Sequence, residues 1–485
     1  MNSTSIHRRL AVVVAAGLVV VLSSGTASSA APPTTGTVGS PGAGEPYYPT
    51  DGNGGYDVIA YDITLTYQPQ TRFLSARTVV TARTTQSLSR FNLDLDGLTV
   101  TGVTVDGGTA SFTREGAHEL VITPARTVRR GALFQAAVRY EGIPQPLPHP
   151  MLGPIGWQYS ANGGIFAAGA PHTGTTWFPA NDVPTDKAAF RLTASVPEGW
   201  SVVSNGREAG TTTKDGWTTN RWVHTRPMST YVSLIAINRW TIERGHLTDG
   251  TPAVNAYAPG AEGKKALQDR VPEILDFMVS RFGPYPQEAA GGVYLADDIG
   301  FWMETQTRPI YALQIDLSTV IHENSHMWFG DSVTIKQWKD VCLAECLASY
   351  APWLWDEAKE GVNLDARYRS EIARVDAAPG FWTRQPYDPG PNFEFGSRVY
   401  VRGPLMLHAL RHTVGEADFA AILRLWPSVH RFGNASWLEF EAFAATVSGE
   451  DLRGFFDAWA RGTVRPPDEF LWPGTLTPTG DQVTV

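Results

Sequence analysis

Two hydrophobic periods divide the chain. From Tyr61 the apolar positions fall on every second residue: Tyr61, Ile63, Leu65 and Tyr67 alternate with Asp62, Thr64 and Thr66, and Phe91, Leu93 and Leu95 alternate with Asn92 and Asp94. Successive side chains of a strand point to opposite faces, so this period predicts half-buried strands. It dominates to about residue 240, with Asp106-Gly107 marking a hairpin and Tyr231 to Ile237 reading as a late, buried strand. Near residue 262 the period lengthens. Leu267, Val271, Ile274, Leu275, Met278 and Phe282 recur at helical spacing until Gly283-Pro284 stops the run. Residues 318–329, 339–355, 404–413 and 452–460 read as further helices, the last closed by Pro466 and Pro467. The pattern predicts a multidomain α+β protein: an antiparallel, β-sandwich-like domain over 50–243, a mainly helical domain over 244–466, and an extended tail over 467–485.

The first residues follow neither period. His7, Arg8 and Arg9 precede an apolar run from Leu10 to Leu22, and the small residues Ser28, Ser29 and Ala30 follow. A basic start, a short apolar run and a small-residue site are the marks of a secretory signal peptide, expected here to span 1–30. The run falls short of the roughly 20 apolar residues that cross a bilayer, so no stable membrane anchor is expected and the protein is expected to be extracellular. Arg8 and Arg9 leave both the general and the twin-arginine export routes open. Residues 31–49 are rich in Pro, Gly, Thr and Ser and read as a flexible leader.

Composition narrows the function classes. With 42% hydrophobic, 11% aromatic and 18% charged residues the chain is globular, and its 485 residues suffice for two or three domains. A net charge of -9 without a basic cluster excludes nucleic acid as a main partner. The two cysteines, Cys342 and Cys346, are four apart on a predicted helix. Helical neighbours at that spacing hold their Cβ atoms about 5 to 6 Å apart, whereas a disulfide needs about 3.5 to 4.5 Å, so two buried thiols are expected.

One segment carries chemistry. His322-Glu323-Asn324-Ser325-His326 is an H-E-x-x-H pattern inside a predicted helix. Residues i and i+4 share a helix face, so both imidazoles point at one spot with Glu323 beside them: two metal ligands and a base. A catalytic zinc takes three protein ligands and leaves its fourth position to water. Glu345 supplies the third, separated from His326 by eighteen residues, in a stretch from Val341 to Tyr350 that is otherwise apolar or small. A carboxylate buried there needs a partner, and a metal ion provides one. One Zn2+ per chain is expected, held by His322, His326 and Glu345.

The segment HENSHMWFGDSVTIKQWKDVCLAECLASY resembles the zinc signature of the gluzincin aminopeptidases, the family of aminopeptidase N and leukotriene hydrolase. Trp328-Phe329-Gly330 and Trp338 match its W-F-G and its midway Trp. Gly300-Phe301-Trp302-Met303-Glu304 resembles its G-A-M-E-N strand, Tyr400-Val401-Arg402-Gly403 its Y-E-K-G, and Trp177-Phe178-Pro179 through Asp182 and Pro184 its W-F-P-x-x-D-x-P. The resemblance implies a thermolysin-like catalytic domain and a metalloaminopeptidase acting on peptides with a free N-terminus; a monomer is expected. It implies Glu323 as general base, Tyr400 as the hydroxyl facing the oxyanion, and Glu304 as the anchor of the substrate amine. Gly300, Trp302 and Met303 would pair with substrate backbone.

The sequence also departs from the family. Cys342, Ala344 and Cys346 stand where its Trp, Asn and Gly are usual, and Ala168 and Ala170 align with a loop that usually adds a Gln and a Glu to the amine site. The family's large C-terminal helical domain has no counterpart here, which implies a more open site. An endopeptidase and a weakly catalytic zinc-stabilised binding protein stand as alternatives, and the leukotriene branch of the family adds an epoxide hydrolase to which no residue here points. Cleavage of N-blocked peptides, retained activity of Glu323→Gln, and an assay on epoxides separate them.

Overall fold

The computed structural model describes residues 35–478; the expected signal peptide lies outside them. The strand Tyr56–Gln68 forms where the alternation is cleanest, with Tyr61, Ile63, Leu65 and Tyr67 buried and Asp62, Thr64 and Thr66 exposed. It lies inside an eight-stranded sheet, antiparallel to Phe73–Thr84 and parallel to Ala188–Pro197. A five-stranded sheet and a four-stranded sheet complete the N-terminal β-rich domain. The late strand is shorter than its apolar run. Thr230–Val232 forms a single 3-10 turn, and only Ile235–Asn238 pairs, because Leu234 N–H and Ser204 Oγ turn to Asn205 and to the Leu234 carbonyl instead.

The strands Thr241–His246, Pro252–Tyr257, Ala290–Tyr294 and Ile310–Tyr311 form a separate mixed sheet on which the helical domain is built. Its helices include α1 (Val271–Phe282), α2 (Leu317–Ser325), α3 (Cys342–Glu360), α4 (Leu364–Asp376) and α5 (Gly403–Val414). No described helix is long and apolar enough to cross a membrane. Two buried cations stitch the helical part to the β-rich part. Arg308 donates to the carbonyls of Ser204, Gly206 and Val254, and Lys187 to those of Asp331 and Ser332. Burial pushes the Lys187 ammonium down to about 7, a measure of how dry this seam is.

Four expectations need correction. Residues 35–49 are not a loose leader: Thr37–Val38 pairs with Leu88–Asp94, Glu45 is buried and accepts from Trp338 N–H at 3.1 Å, and Tyr48 donates to Glu394 at 2.7 Å. One strand pairing and two polar side chains with partners far along the chain outweigh the Pro/Gly-rich composition. The tail is not extended throughout, since Asp468–Leu471 is a helical turn that buries Leu471. The H-E-x-x-H helix ends at Ser325 rather than near Phe329, with His326 as its helical-geometry cap. Finally, Cys342 and Cys346 form a disulfide, with Cα atoms 4.7 Å apart. They occupy the first turn of α3, where Ala344 and Glu345 N–H groups share the Val341 carbonyl and tighten the coil. The spacing of a regular helix does not hold there.

Candidate metal centre

Local physics sets the two imidazoles. Asp316 caps α2 by accepting from Thr319 N–H at 2.7 Å, which starts the helix and fixes the phase of His322 and His326 on one face. The His326 ring is then locked from behind, its Nδ1 2.8 Å from the Phe329 carbonyl. That contact needs the chain to fold back directly after the helix. Gly330 permits it with φ of +128°, and a Cβ there would stand 3.1 Å from His326 Nδ1. The W-F-G signature is therefore a ring-orienting device, with Trp328 and Phe329 packed on Phe282 of α1.

The third ligand arrives on α3. Glu345 Oε2 lies 3.3 Å from His322 Nε2 and 3.5 Å from His326 Nε2, and the two Nε2 atoms are 3.1 Å apart. A tetrahedral ion with bonds of about 2.0 Å spaces its ligands by roughly 3.3 Å. Glu345 Oε2 is buried without a hydrogen-bond donor of good geometry, so the oxygen is aimed at the centre of the triangle. The three residues fit zinc.

Tyr400 reaches this triangle through helix packing. It sits in one wide π-type turn, Arg398–Arg402, that leads into α5. At the junction α5 crosses α3 so closely that a Cβ on Gly403 would meet Cys346 Cβ at 2.6 Å. Only glycine allows that approach, and the approach brings the Tyr400 ring to 6.0 Å from His322. Arg402, fully buried, donates to the carbonyls of Arg384 and Ala458 and holds the turn.

The electrostatics favour cations. Carboxylate atoms of Glu304 and Glu323 and a ring nitrogen of His326 lie within 4.8 Å of one another. Burial, then neighbouring carboxylates, pushes Glu323 well above the carboxylate range, and burial also raises Glu304. Burial opposes charge on His326, yet Glu345 and Glu304 overcome it and push the imidazole up. Glu345 is held down at about 2 against its burial by the two imidazoles. Three buried carboxylates thus converge on one place, a setting that favours positive charge there. Burial and the same carboxylates keep the Tyr400 hydroxyl protonated far above neutral pH.

The centre opens into a cavity of about 500 Å3. Gly300, Trp302 and Met303 line it with Glu304, and Met303 pairs with Ile310 by two backbone hydrogen bonds of 2.9 and 3.1 Å. Trp302 is 39% exposed and anchored by its indole N–H on the Gln314 carbonyl. Ala170 is on the cavity wall, whereas Ala168 is buried in the strand Ile165–Ala168 and does not reach it. Among the lining residues Glu304, Glu323 and Glu345 are the only carboxylates.

Several lining residues had no sequence signal: Met151 and Leu152 from the β-rich domain, Trp353 and Arg367 from the helices, and Phe395 from a loop. Asp331, buried beneath His326 with both oxygens unpartnered, was missed as well. Its only hint was its position directly after Trp328-Phe329-Gly330.

Comparison with known proteins agrees with this geometry. Residues 58–232 match the peptidase M1 N-terminal domain, and residues 291–459 match the peptidase family M1 domain. The chain belongs to the M1 peptidase family. It is 25% identical over 441 residues to aminopeptidase N of Lactococcus lactis subsp. lactis strain IL1403, covering 82% of this chain and 50% of that protein. Against aminopeptidase N of Streptomyces lividans it is 25% identical over 343 residues, covering 62% and 38%. This M1 chain therefore spans half the length, or less, of these curated relatives. The crystal structure of the M1 zinc metallopeptidase from Deinococcus radiodurans superposes with a TM-score of 0.82 at 27% identity, covering 88% of this chain and 98% of that one. A mutant of that enzyme, solved with a Tyr-Ser-Ala substrate, gives 0.81 at 28% identity and covers 88% and 99%.

Proposed function

We propose that this M1 chain is a zinc-dependent aminopeptidase that removes the N-terminal residue of peptides. The observation that carries the reading is the pairing of the His322, His326 and Glu345 triangle with a second carboxylate, Glu304, beside Glu323 at the wall of the same cavity. His322, His326 and Glu345 would hold zinc, which when bound would acidify a water and polarise a carbonyl. Glu323, its proton affinity raised by burial, takes a proton from the attacking water and returns it to the leaving amine. Tyr400 keeps its proton and donates a hydrogen bond to the oxygen on which charge develops. Glu304 meets the substrate ammonium, which relieves the repulsion between two buried carboxylates. The edge from Gly300 to Met303 pairs with the substrate backbone as an added strand.

Exopeptidase restriction rests on Glu304, since Ala170 offers no second amine ligand. Glu304→Gln is expected to weaken kcat/KM for free-amine peptides by about 10- to 100-fold, the value of one charge-assisted bond, with N-acetylated peptides almost unaffected. Equal cleavage of free and N-blocked peptides by the parent enzyme would instead establish an endopeptidase. We propose export as well, on the basic, apolar and small-residue order of residues 1–30; N-terminal sequencing of the mature protein tests it.

A further inference from the structure

The helical domain contains a second triangle of the same kind, remote in sequence from H-E-x-x-H. His408 and His412 lie one turn apart on α5, and Asp365 is the second residue of α4. Asp365 Oδ1 stands 3.0 Å from His408 Nε2 and 2.9 Å from His412 Nε2, and the three ligand atoms lie within 4.8 Å of one another. We infer that Asp365, His408 and His412 form a second divalent-cation site, suited to Zn2+, that clamps α4, α5 and the C-terminal segment together.

Four observations carry this. Both rings are oriented from behind: His408 Nδ1 is 3.0 Å from the Tyr350 hydroxyl and His412 Nδ1 is 3.2 Å from the Thr475 hydroxyl. A hydroxyl accepts from Nδ1–H as readily as it donates, so each ring can present an Nε2 lone pair to a metal, as ligand shells require.

Among the described residues no lysine or arginine pairs with the carboxylate. Arg411, on the same helix, turns to Glu357 and Glu416, and Arg367 to Asp356. Exposure is graded, with the His408 side chain 1%, His412 16% and Asp365 36% exposed. An ion can therefore enter from the Asp365 side and keep water as its fourth ligand. Finally, the catalytic triangle of the same chain provides a scale. Its nitrogen–oxygen edges are 3.3 and 3.5 Å, against 3.0 and 2.9 Å in the second triangle, so the two nitrogen–oxygen edges lie within about 0.4 Å of the roughly 3.3 Å of tetrahedral spacing.

Two imidazoles and a carboxylate without sulfur are a zinc donor set. The ion would sit where Tyr368 already ties α4 to the Leu471 carbonyl at 2.6 Å. It supplies no chemistry to the peptidase cavity and would act on stability.

The test separates the two centres. A His322→Ala, His326→Ala double variant of the full chain is expected to keep about one equivalent of zinc by elemental analysis, and its Tm to rise on zinc addition. Adding Asp365→Asn and His412→Gln should abolish both. If the double variant binds no zinc, cobalt or nickel and its Tm ignores them, the triangle is a hydrogen-bonded cluster and the inference fails. Should that variant not fold, the parent enzyme decides: release of zinc to a graded chelator in two steps, with one missing in Asp365→Asn, supports the site. A single step carrying about one equivalent overturns it.

Discussion

Two His-x-x-x-His pairs, each met by a carboxylate from a neighbouring helix, sit in the helical domain with opposite surroundings. His322, His326 and Glu345 face a cavity of about 500 Å3. They have Glu323 and Glu304 within reach and Tyr400 at the edge. Asp365, His408 and His412 are backed by Tyr350 and Thr475 and have no free acid or base beside them. The ligand sets are nearly interchangeable, so ligation alone does not distinguish an active site from a clamp. What differs is the company: a buried carboxylate, Glu323, whose proton affinity burial raises, and an adjoining cavity of about 500 Å3.

That contrast can be broken most sharply at Glu323. Glu323→Gln preserves the size of the side chain and all three ligands, so zinc content should be unchanged while kcat falls by about 1,000-fold or more. Elemental analysis alongside a fluorogenic aminopeptidase assay checks both halves, and activity near the parent value would reject the mechanism. Tyr400→Phe should have the next largest effect, about 100-fold in kcat with little change in KM, because the hydroxyl acts on charge that appears only in the transition state. Asp365→Asn reverses the pattern. It should leave kcat/KM within about twofold while lowering Tm by several degrees in zinc-containing buffer. A loss of activity without a loss of stability would place that cluster in the catalytic path.

A carboxylate outside both centres sharpens the comparison, since its effect needs no metal. Glu288 accepts from Thr225 N–H and Oγ1 and lies 3.2 Å from His224, joining the start of the helical domain's sheet to the β-rich domain. Burial alone would raise its pKa, but these hydrogen bonds outweigh it and hold Glu288 at about 2. A folded-state pKa below the unfolded value adds stability above that value and loses it as pH falls. Glu288→Gln should therefore cost about 1 to 2 kcal/mol at pH 7, and the difference should shrink from about pH 4.5 downward and vanish near pH 2. Urea unfolding at three pH values measures it, and chelator should not change the result.

The chain declared its first triangle and concealed its second for one physical reason. His322 and His326 are joined by helical phase, a local rule, and Glu345 follows after a connection just long enough to return on a second helix. Asp365 and His408 are 43 residues apart with no local rule between them. The errors have the same origin. Pro and Gly between residues 31 and 49 predicted looseness, whereas Glu45 and Tyr48 find partners near residues 338 and 394. Ideal helix spacing forbade a disulfide that the tightened first turn of α3 allows.

By itself, the sequence determined the two-period division into β-rich and helical domains, the convergence of His322, His326, Glu323 and Glu345 on one place, and the family resemblance, because each depends on spacings that local geometry enforces. Only the tertiary structure decided the Cys342–Cys346 disulfide, the anchoring of residues 35–49, the cavity walls at Met151 and Leu152, and the second triangle. These arise where distant segments meet, and packing rather than periodicity sets who meets whom.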